Sequence, residues 1–267
     1  MARQRESGRR WICVGDSPAV RLAGLDFGVR EATTLVFLHG GAGRANQWRH
    51  QMEYFSQRYR VVAYDFRGHG ESEVVHSDYS FDEMVQDLEW AVDELEVPER
   101  FHLITHSFGG AVGAAYAVRH AQRLERLALV ATAGEIPLSP FLPALLQLPG
   151  PVLDGVRKVF RNQINCPPAV LKRLVPTLMR WRGWDLYERI QTPTLVLSGE
   201  LDLLTRPRMM RRMADLIPNC EFVSLPFCGH LPQLERPAAV NRILERFLEP
   251  NLKRTWRGTI EAPEGAA

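Results

Sequence analysis

The stretch Phe101 to Gly110, with the sequence FHLITHSFGG, restricts the fold more than any other part of the chain. An apolar run typical of a buried strand stops abruptly at Ser107, and small residues follow it. Small residues let a helix pack closely against its neighbours, so the pattern predicts a strand, a sharp turn that carries Ser107, and a helix. The small residues are Ala111, Gly113, Ala114, Ala115 and Ala117.

The turn at Ser107 suits nucleophilic chemistry. A serine hydroxyl is a poor nucleophile at neutral pH, so it needs a base within hydrogen-bond reach and backbone N–H donors for the oxyanion that forms. A tight turn at the start of a helix offers such donors. Gly109, two residues after the serine, allows another backbone segment to come close. Ser107 is therefore the candidate nucleophile.

Apolar runs and helical patterns alternate along most of the chain. This alternation predicts a mostly parallel central sheet of about eight strands with helices on both faces. Runs typical of strands buried on both faces are 35–38, 60–64, 127–130 and 194–198, with a last strand at 220–225. A hairpin of 11–14 and 20–25 is expected at the sheet edge. Three helices are expected: one at 46–59, one that begins at a capping box formed by Ser80 and Glu83, and one at 237–248.

The alternation stops after Thr132. Residues 134–190 contain eight prolines and short apolar helical pieces, which predicts a helical cap inserted over the site, between core segments 11–133 and 191–250. Disordered tails are expected at 1–10 and 251–267. The cap should line a pocket with apolar side chains, and the candidates are Leu138, Phe141, Leu142, Leu145, Leu146, Leu148, Val152 and Leu153.

The cap carries an excess of four positive charges, although the whole chain has a net charge of only +2. A solvated face explains such a bias, and an anionic substrate or an acidic carrier protein is the alternative. The basic residues are Arg157, Lys158, Arg161, Lys172, Arg173, Arg180, Arg182 and Arg189.

Composition excludes several classes of protein. The near-neutral charge argues against nucleic acid as a partner, and no apolar run is long enough to span a membrane. The cysteines Cys13, Cys166, Cys220 and Cys228 lack metal-site spacing, which indicates free thiols in a reducing compartment such as the cytoplasm. The sequence does not indicate an oligomeric state.

Several motifs together resemble the serine-nucleophile branch of the α/β-hydrolase fold superfamily. They are the S-x-G turn at Ser107, the glycine loop 39–43, the D-x-R-G-x-G-x-S loop 65–72, G-E-x-D at 199–202 and G-H-x-P at 229–232. Ser107, Asp202 and His230 each follow a predicted strand, in the chain order Ser, Asp, His of that superfamily. The chain departs from the G-x-S-x-G pattern at Thr105, whose bulk is expected to shift the serine or narrow the pocket.

The resemblance implies a role for each of these residues. His230 would act as the base for Ser107, and Asp202 would orient the imidazole, with Glu200 and Glu135 as competing carboxylates. The backbone N–H groups of Gly41 and Phe108 would form the oxyanion hole. The resemblance gives Asp65 and His69 structural roles, while His39, His102 and His106 are expected near the site as packing or lining groups.

The favoured activity is hydrolysis of a carboxylic ester or lactone with a small to medium apolar acyl group, through an acyl-enzyme. No metal or cofactor is implied, and a small-molecule acyl substrate is the expected partner. The same triad could instead act on a thioester or a C–C bond, or serve as a cofactor-free peroxidase. A non-catalytic ligand-binding protein with this fold is the remaining alternative.

Overall fold

The computed structural model of the chain describes residues 8–15, 19–159 and 164–249. Eight strands follow one another along these residues: β1 Gly8–Val14, β2 Val20–Gly28, β3 Thr34–Leu38, β4 Arg60–Tyr64, β5 Phe101–His106, β6 Leu124–Val130, β7 Thr194–Gly199 and β8 Cys220–Leu225. The α-helices among them are α1 Arg49–Phe55, α2 Phe81–Glu94, α3 Phe108–Arg119, α4 Leu142–Leu145, α5 Gly150–Val159, α6 Pro168–Arg180, α7 Trp184–Tyr187, α8 Pro207–Leu216, α9 Pro232–Glu235 and α10 Pro237–Leu248.

All eight strands belong to one sheet with the order β1-β2-β4-β3-β5-β6-β7-β8. The strands from β4 to β8 in that order pair in parallel, whereas β1 and β2 form an antiparallel hairpin that joins the sheet through β4. This architecture confirms the predicted mostly parallel sheet. The carboxyl ends of the parallel strands meet at one edge, where ligands bind in open α/β sheets.

Strand β3 shows why the central runs are apolar at every position. Its residues Leu35 and Phe37 pack into a hydrophobic cluster on one face of the sheet, while Val36 and Leu38 pack into a second cluster on the other face. Successive side chains of a strand point to opposite faces, so a strand covered by helices on both sides must be apolar throughout. The buried helices α3 and α2 cover one face, and α1 and α10 cover the other.

Most predicted helix boundaries agree with the structure. Helix α2 begins with the complete capping box, in which Ser80 and Glu83 each accept a hydrogen bond from the other's backbone N–H. Helix α10 has the predicted limits 237–248. The helix expected at 46–59 is shorter, because a 3₁₀ turn at Ala45–Trp48 precedes α1 and the chain leaves the helix after Phe55.

The segment between β6 and β7 contains α4, α5, α6 and α7 and no strand among its described residues. Leu146, Leu153 and Val175 form a small hydrophobic cluster of its own, apart from the two clusters that flank the sheet. The assignment of 134–190 as a separate cap domain stays a prediction. The segment is helical, as predicted.

One predicted boundary is wrong. Strand β1 begins at Gly8, so residues 8–10 of the expected disordered tail pair with β2. The Arg10 guanidinium lies 3.5 Å from the buried Asp26 carboxylate, a contact that favours the paired strand over a solvated tail. Residues 1–7 and the tail expected at 251–267 lie outside the described residues. Within the described residues, no helix has both the length and the apolarity needed to cross a membrane.

Candidate active site

Ser107 sits on a strained turn between β5 and α3. Its backbone dihedrals are φ +49° and ψ −116°, a region that side-chain-bearing residues rarely adopt, and its N–H donates to the Val130 carbonyl on β6 at 2.9 Å. Phe108 directly follows as the first residue of α3. The turn therefore lifts the serine side chain out of the strand and places it before the N-terminus of a buried helix.

Thr105 does not disturb this turn. Its hydroxyl donates to the Ala128 carbonyl at 2.8 Å, and its side chain is buried between β5 and α3. A Cβ on Gly113 would lie only 2.7 Å from the Thr105 methyl group, so α3 has a glycine where the threonine needs room. Thr105 is not among the residues that line the pocket, and the expected narrowing is therefore not observed.

The side chains of Ser107, His230 and Asp202, which follow three different strands, form one hydrogen-bonded series. The His230 Nε2 atom lies 3.1 Å from the Ser107 Oγ, and its Nδ1 lies 2.8 Å from Oδ2 of Asp202. A carboxylate only accepts hydrogen bonds, so Nδ1 carries the proton and Nε2 is left as an acceptor for the serine hydroxyl. Asp202 follows β7 and His230 follows β8, as the sequence predicted.

The Asp202 carboxylate is completely buried and well satisfied. Its Oδ1 accepts the backbone N–H groups of Leu204 and Thr205 at 2.8 and 2.9 Å, and its Oδ2 also accepts the Thr205 hydroxyl at 2.7 Å. Burial acts to raise the pKa of Asp202, but the hydrogen bonds from His230 and Thr205 outweigh it and the pKa is lowered. Sequence reasoning missed Thr205, although an aspartate in a loop is a known signal for a turn in which its side chain binds backbone N–H groups a few residues on.

Hydrogen bonds from two side chains, Glu235 and His106, hold the backbone around His230. Glu235 accepts the N–H of Gly229 at 2.7 Å and the N–H of Leu231 at 2.9 Å, one on each carboxylate oxygen. His106 donates from Nε2 to the His230 carbonyl at 2.8 Å. Burial, assisted by the charge of His230, lowers the pKa of His106 to about 3, so it is neutral at physiological pH. No periodic pattern marks these contacts, because they join side chains to loop backbone.

The glycine loop 39–43 lies against the serine turn. A Cβ on Gly40 would fall 2.4 Å from His106 Nδ1 and 3.2 Å from the Ser107 Cβ, so only glycine fits there. A Cβ on Gly41 would lie 3.4 Å from the Phe108 Cβ. Gly41 and Phe108 border the same pocket as Ser107, and the Phe108 N–H belongs to the first turn of α3, where helical N–H groups lack intrahelical acceptors.

Neither competing carboxylate reaches His230. Glu200 is exposed and accepts the Phe227 N–H at 3.4 Å, and Glu135 lies 3.8 Å from Arg182. The expectation that His102 lies near the site is wrong, because it is the second residue of β5 and sits toward the opposite end of the sheet from Ser107. Its Nε2 lies 3.6 Å from the Glu125 carboxylate.

The loop 65–72 has a structural role. Asp65 accepts the N–H of Ala45 at 2.6 Å and the N–H of Glu71 at 2.9 Å. His69 accepts the Ala42 N–H at 3.2 Å, so this loop and the glycine loop support one another. Burial lowers the pKa of His39 to about 4 and that of His69 to about 3, which leaves both rings as neutral packing groups.

A pocket of about 1040 Å³ opens above Ser107 and His230. Its apolar wall comes from the helical segment between β6 and β7, called the inserted segment below. The side chains of this wall are Ile136, Leu138, Leu142, Leu145, Leu146, Leu148, Leu153, Ile164, Leu171, Leu174, Val175 and Leu178. Six of the eight apolar residues expected to line the pocket do so. The exceptions are Phe141 and Val152, which are 79% and 49% exposed to solvent and do not border it.

Two further sequence predictions concern the cysteines and metal binding. Cys13, Cys166, Cys220 and Cys228, all among the described residues, form no disulfide bond. Across 8–15, 19–159 and 164–249, no group of three or more His, Cys, Asp or Glu side chains is arranged to bind a metal ion.

Comparisons with known proteins agree with this fold. The model of the alpha/beta hydrolase family matches residues 35–243. The enol-lactonase from Burkholderia xenovorans LB400 superposes with a TM-score of 0.78 at 26% identity, over 86% of this chain and 96% of that one. A thermophilic esterase from Thermogutta terrifontis, solved with malate bound, gives a TM-score of 0.78 at 27% identity, over 91% and 98%.

Among sequence relatives, the putative carbamate hydrolase RutD of Caulobacter sp. strain K31 is 26% identical over 242 residues, which are 80% of this chain and 90% of that protein. The relatives thus share a hydrolytic activity but differ in the bond that they cleave. The family match covers most of the sheet and all three strand ends that carry Ser107, Asp202 and His230. The chain belongs to the alpha/beta hydrolase family.

Proposed function

We propose that the protein is a serine hydrolase that cleaves a carboxylic ester or lactone with a small to medium apolar acyl group. The observation that carries the proposal is the hydrogen-bonded series from Ser107 through His230 to Asp202 at the base of a leucine-lined pocket. The similarity to an enol-lactonase and an esterase supports an acyl carbon as the point of attack.

The first half of the reaction forms an acyl-enzyme. His230 Nε2 takes the proton from the Ser107 hydroxyl as the oxygen attacks the acyl carbon, and Asp202 stabilises the imidazolium that results. The N–H groups of Gly41 and Phe108 donate to the oxyanion of the tetrahedral intermediate. When the intermediate collapses, His230 returns the proton to the leaving oxygen and the alcohol departs.

The second half releases the acid. A water molecule loses a proton to His230 and attacks the acyl carbon to form a second tetrahedral intermediate. When this intermediate collapses, its bond to the Ser107 oxygen breaks, His230 returns the proton to that oxygen and the acid departs. The apolar wall of the pocket holds the acyl chain and excludes bulk water from its length. A volume of about 1040 Å³ is at the upper end of small-molecule pockets and accepts a chain of medium length.

A series of p-nitrophenyl esters from acetate to long-chain acyl groups tests the proposal. We expect turnover with an optimum at a medium chain length, and its loss in Ser107→Ala. Equal rates for the wild type and Ser107→Ala would contradict the serine mechanism. Inactivity on every ester, in a protein whose Ser107 still reacts with a fluorophosphonate, would show that the bond is wrong and would direct the search to thioesters and C–C bonds.

A further inference from the structure

The pocket above Ser107 has a second wall that differs in chemistry from the apolar one. It lies on the side of the glycine loop, and its polar side chains are Arg44, Asn46, Gln47, Arg49 and Asn165. These groups offer guanidinium and carboxamide donors, whereas all the other residues that the inserted segment contributes to the pocket are apolar. A substrate that fills both parts must therefore be polar at one end and apolar at the other.

The two arginines of this wall have no carboxylate partner. Within the described residues, no Asp or Glu oxygen lies within 4.0 Å of the Arg44 or Arg49 guanidinium. Arg58 and Arg67 differ, because each of them pairs with two carboxylates. The positive charge of the polar wall is thus available to a ligand.

Two acidic groups near this wall are engaged with backbone N–H groups. Asp65 holds the N–H groups of Ala45 and Glu71, and its side chain is buried beneath the loop. Glu235, which borders the pocket beside His230, holds the N–H groups of Gly229 and Leu231. Both carboxylates serve the backbone, so neither of them neutralises the arginines by direct contact.

The segment that carries the arginines is fixed before any ligand binds. The Ala42 N–H donates to His69 at 3.2 Å, and the Ala42 carbonyl accepts the Asn165 N–H at 2.6 Å. Gln47 is 9% exposed, and its Oε1 accepts the Gly40 N–H at 3.4 Å. Its Nε2 has no acceptor among the described residues, but the atom is fully buried and is not a donor at the pocket surface. A loop whose backbone is already fixed loses little backbone entropy when a ligand binds.

We propose that the polar wall is a carboxylate subsite, and that the substrate is an ester or lactone carrying a second, ionised carboxylate on the side opposite its apolar group. A guanidinium fork matches a carboxylate in geometry and charge. Ser107 borders the same pocket as both walls, so a substrate whose scissile carbonyl sits over the serine can reach the leucines with its apolar group and the arginines with its carboxylate. The inference rests on the proposed function and specifies its substrate.

Two matched pairs of esters test the subsite. The first pair is the p-nitrophenyl monoester of adipic acid and its terminal carboxamide, which differ only in charge on the acyl side. The second pair is 4-(hexanoyloxy)benzoate and 4-(hexanoyloxy)benzamide, which differ in charge on the leaving group. We expect at least one carboxylate to exceed its carboxamide about tenfold in kcat/KM, as for a charge-assisted hydrogen bond, and salt to reduce the ratio.

Variants locate the effect. Arg44→Gln and Arg49→Gln together should bring the carboxylate-to-carboxamide ratio close to one. Arg208→Gln, an exposed arginine on α8 outside this pocket, should leave the ratio unchanged. A ratio near one in the wild type for both pairs, or a ratio that survives in the double variant, would overturn the subsite even if the esters are hydrolysed.

A readout without turnover separates this inference from the proposed function. Adipate should slow the labelling of the wild type by a neutral fluorophosphonate, whereas adipamide should not, and the double variant should lose the protection by adipate. Equal effects of adipate and adipamide would overturn the subsite. If Ser107 is not labelled at all and no ester is cleaved, the proposed function fails and the subsite fails with it.

Discussion

The loops at the carboxyl ends of the sheet and the helical segment above them are built in different ways. In the loops, polar side chains hold particular backbone groups: Asp202 binds the N–H groups of Leu204 and Thr205, and Glu235 binds those that flank His230. In the segment, leucines from short helices border the pocket, and several of them remain partly exposed.

This difference indicates what each region contributes. Hydrogen bonds fix an atom to within a few tenths of an ångström, which proton transfer requires. Apolar contacts are non-directional and fix only volume and polarity, which suits the selection of an acyl chain. Substitutions in the loops should therefore reduce kcat, and substitutions in the segment should change the preferred substrate.

The largest effect is expected at the buried carboxylate. Asp202→Asn should lower kcat about 10⁴-fold, because an amide stabilises the wrong imidazole tautomer. Glu200→Ala and Glu135→Ala are the matched controls and should keep near-normal kcat, since neither side chain contacts His230. Steady-state kinetics on one p-nitrophenyl ester gives kcat for all three variants. A large loss of kcat in either control would indicate that Glu200 or Glu135, and not Asp202, is the carboxylate that orients His230.

A smaller effect should follow at the glycine loop. The new methyl group in Gly40→Ala would collide with His106 Nδ1 at 2.4 Å, so the loop and its oxyanion donor must move away from Ser107. A reduction of kcat by about 10²-fold is expected for the loss of one such donor. Gly155→Ala serves as the control, because nothing lies within 4 Å of its Cβ position. Unchanged turnover in Gly40→Ala would remove this loop from the mechanism.

Glu235 should have a moderate effect through the position of His230. Glu235→Ala removes both acceptors and should lower kcat about tenfold with a smaller change in KM. The reason is that the loop carrying His230 would shift and misalign the imidazole base. Glu235→Gln keeps one acceptor oxygen and should recover part of the loss. The exposed Glu94 on α2 gives the control Glu94→Ala. A change in KM alone would indicate that Glu235 contacts substrate instead of positioning His230.

The smallest effect should come from the apolar wall. Leu171→Phe reduces the pocket volume, so the chain-length optimum should shift to shorter esters, with kcat/KM falling about fourfold for each methylene excluded. The acetate ester should change least. Leu186→Phe, the same substitution on α7 outside the pocket, should keep the wild-type profile. A uniform fall across all chain lengths would mean that the segment affects catalysis itself.

The sheet and the three strand-end residues could be predicted because local patterns encode them. Continuous apolar runs such as 61–64 require burial on both faces, and parallel strands bring their carboxyl ends together whatever the loops contain. Ser107 directly follows β5, while Asp202 and His230 lie in the short loops that follow β7 and β8. Their meeting therefore follows from topology.

Contacts between distant side chains and loop backbone could not be predicted in this way. Glu235 and His106 reach His230 through loop geometry that has no repeat in the sequence, and Gly113 makes room for Thr105 across a strand and a helix. The walls of the pocket were foreseen only in part, because exposure of Phe141 and Val152 depends on how short helices turn relative to one another.

Covalent labelling shows directly whether Ser107 is an activated nucleophile. The protein is incubated with a fluorophosphonate at neutral pH, and its intact mass and the modified peptide are determined by mass spectrometry. We expect a single adduct on Ser107, absent in Ser107→Ala and formed far more slowly in Asp202→Asn. An adduct on another residue, or none in a folded wild-type protein, would contradict the assignment of Ser107 as an activated nucleophile.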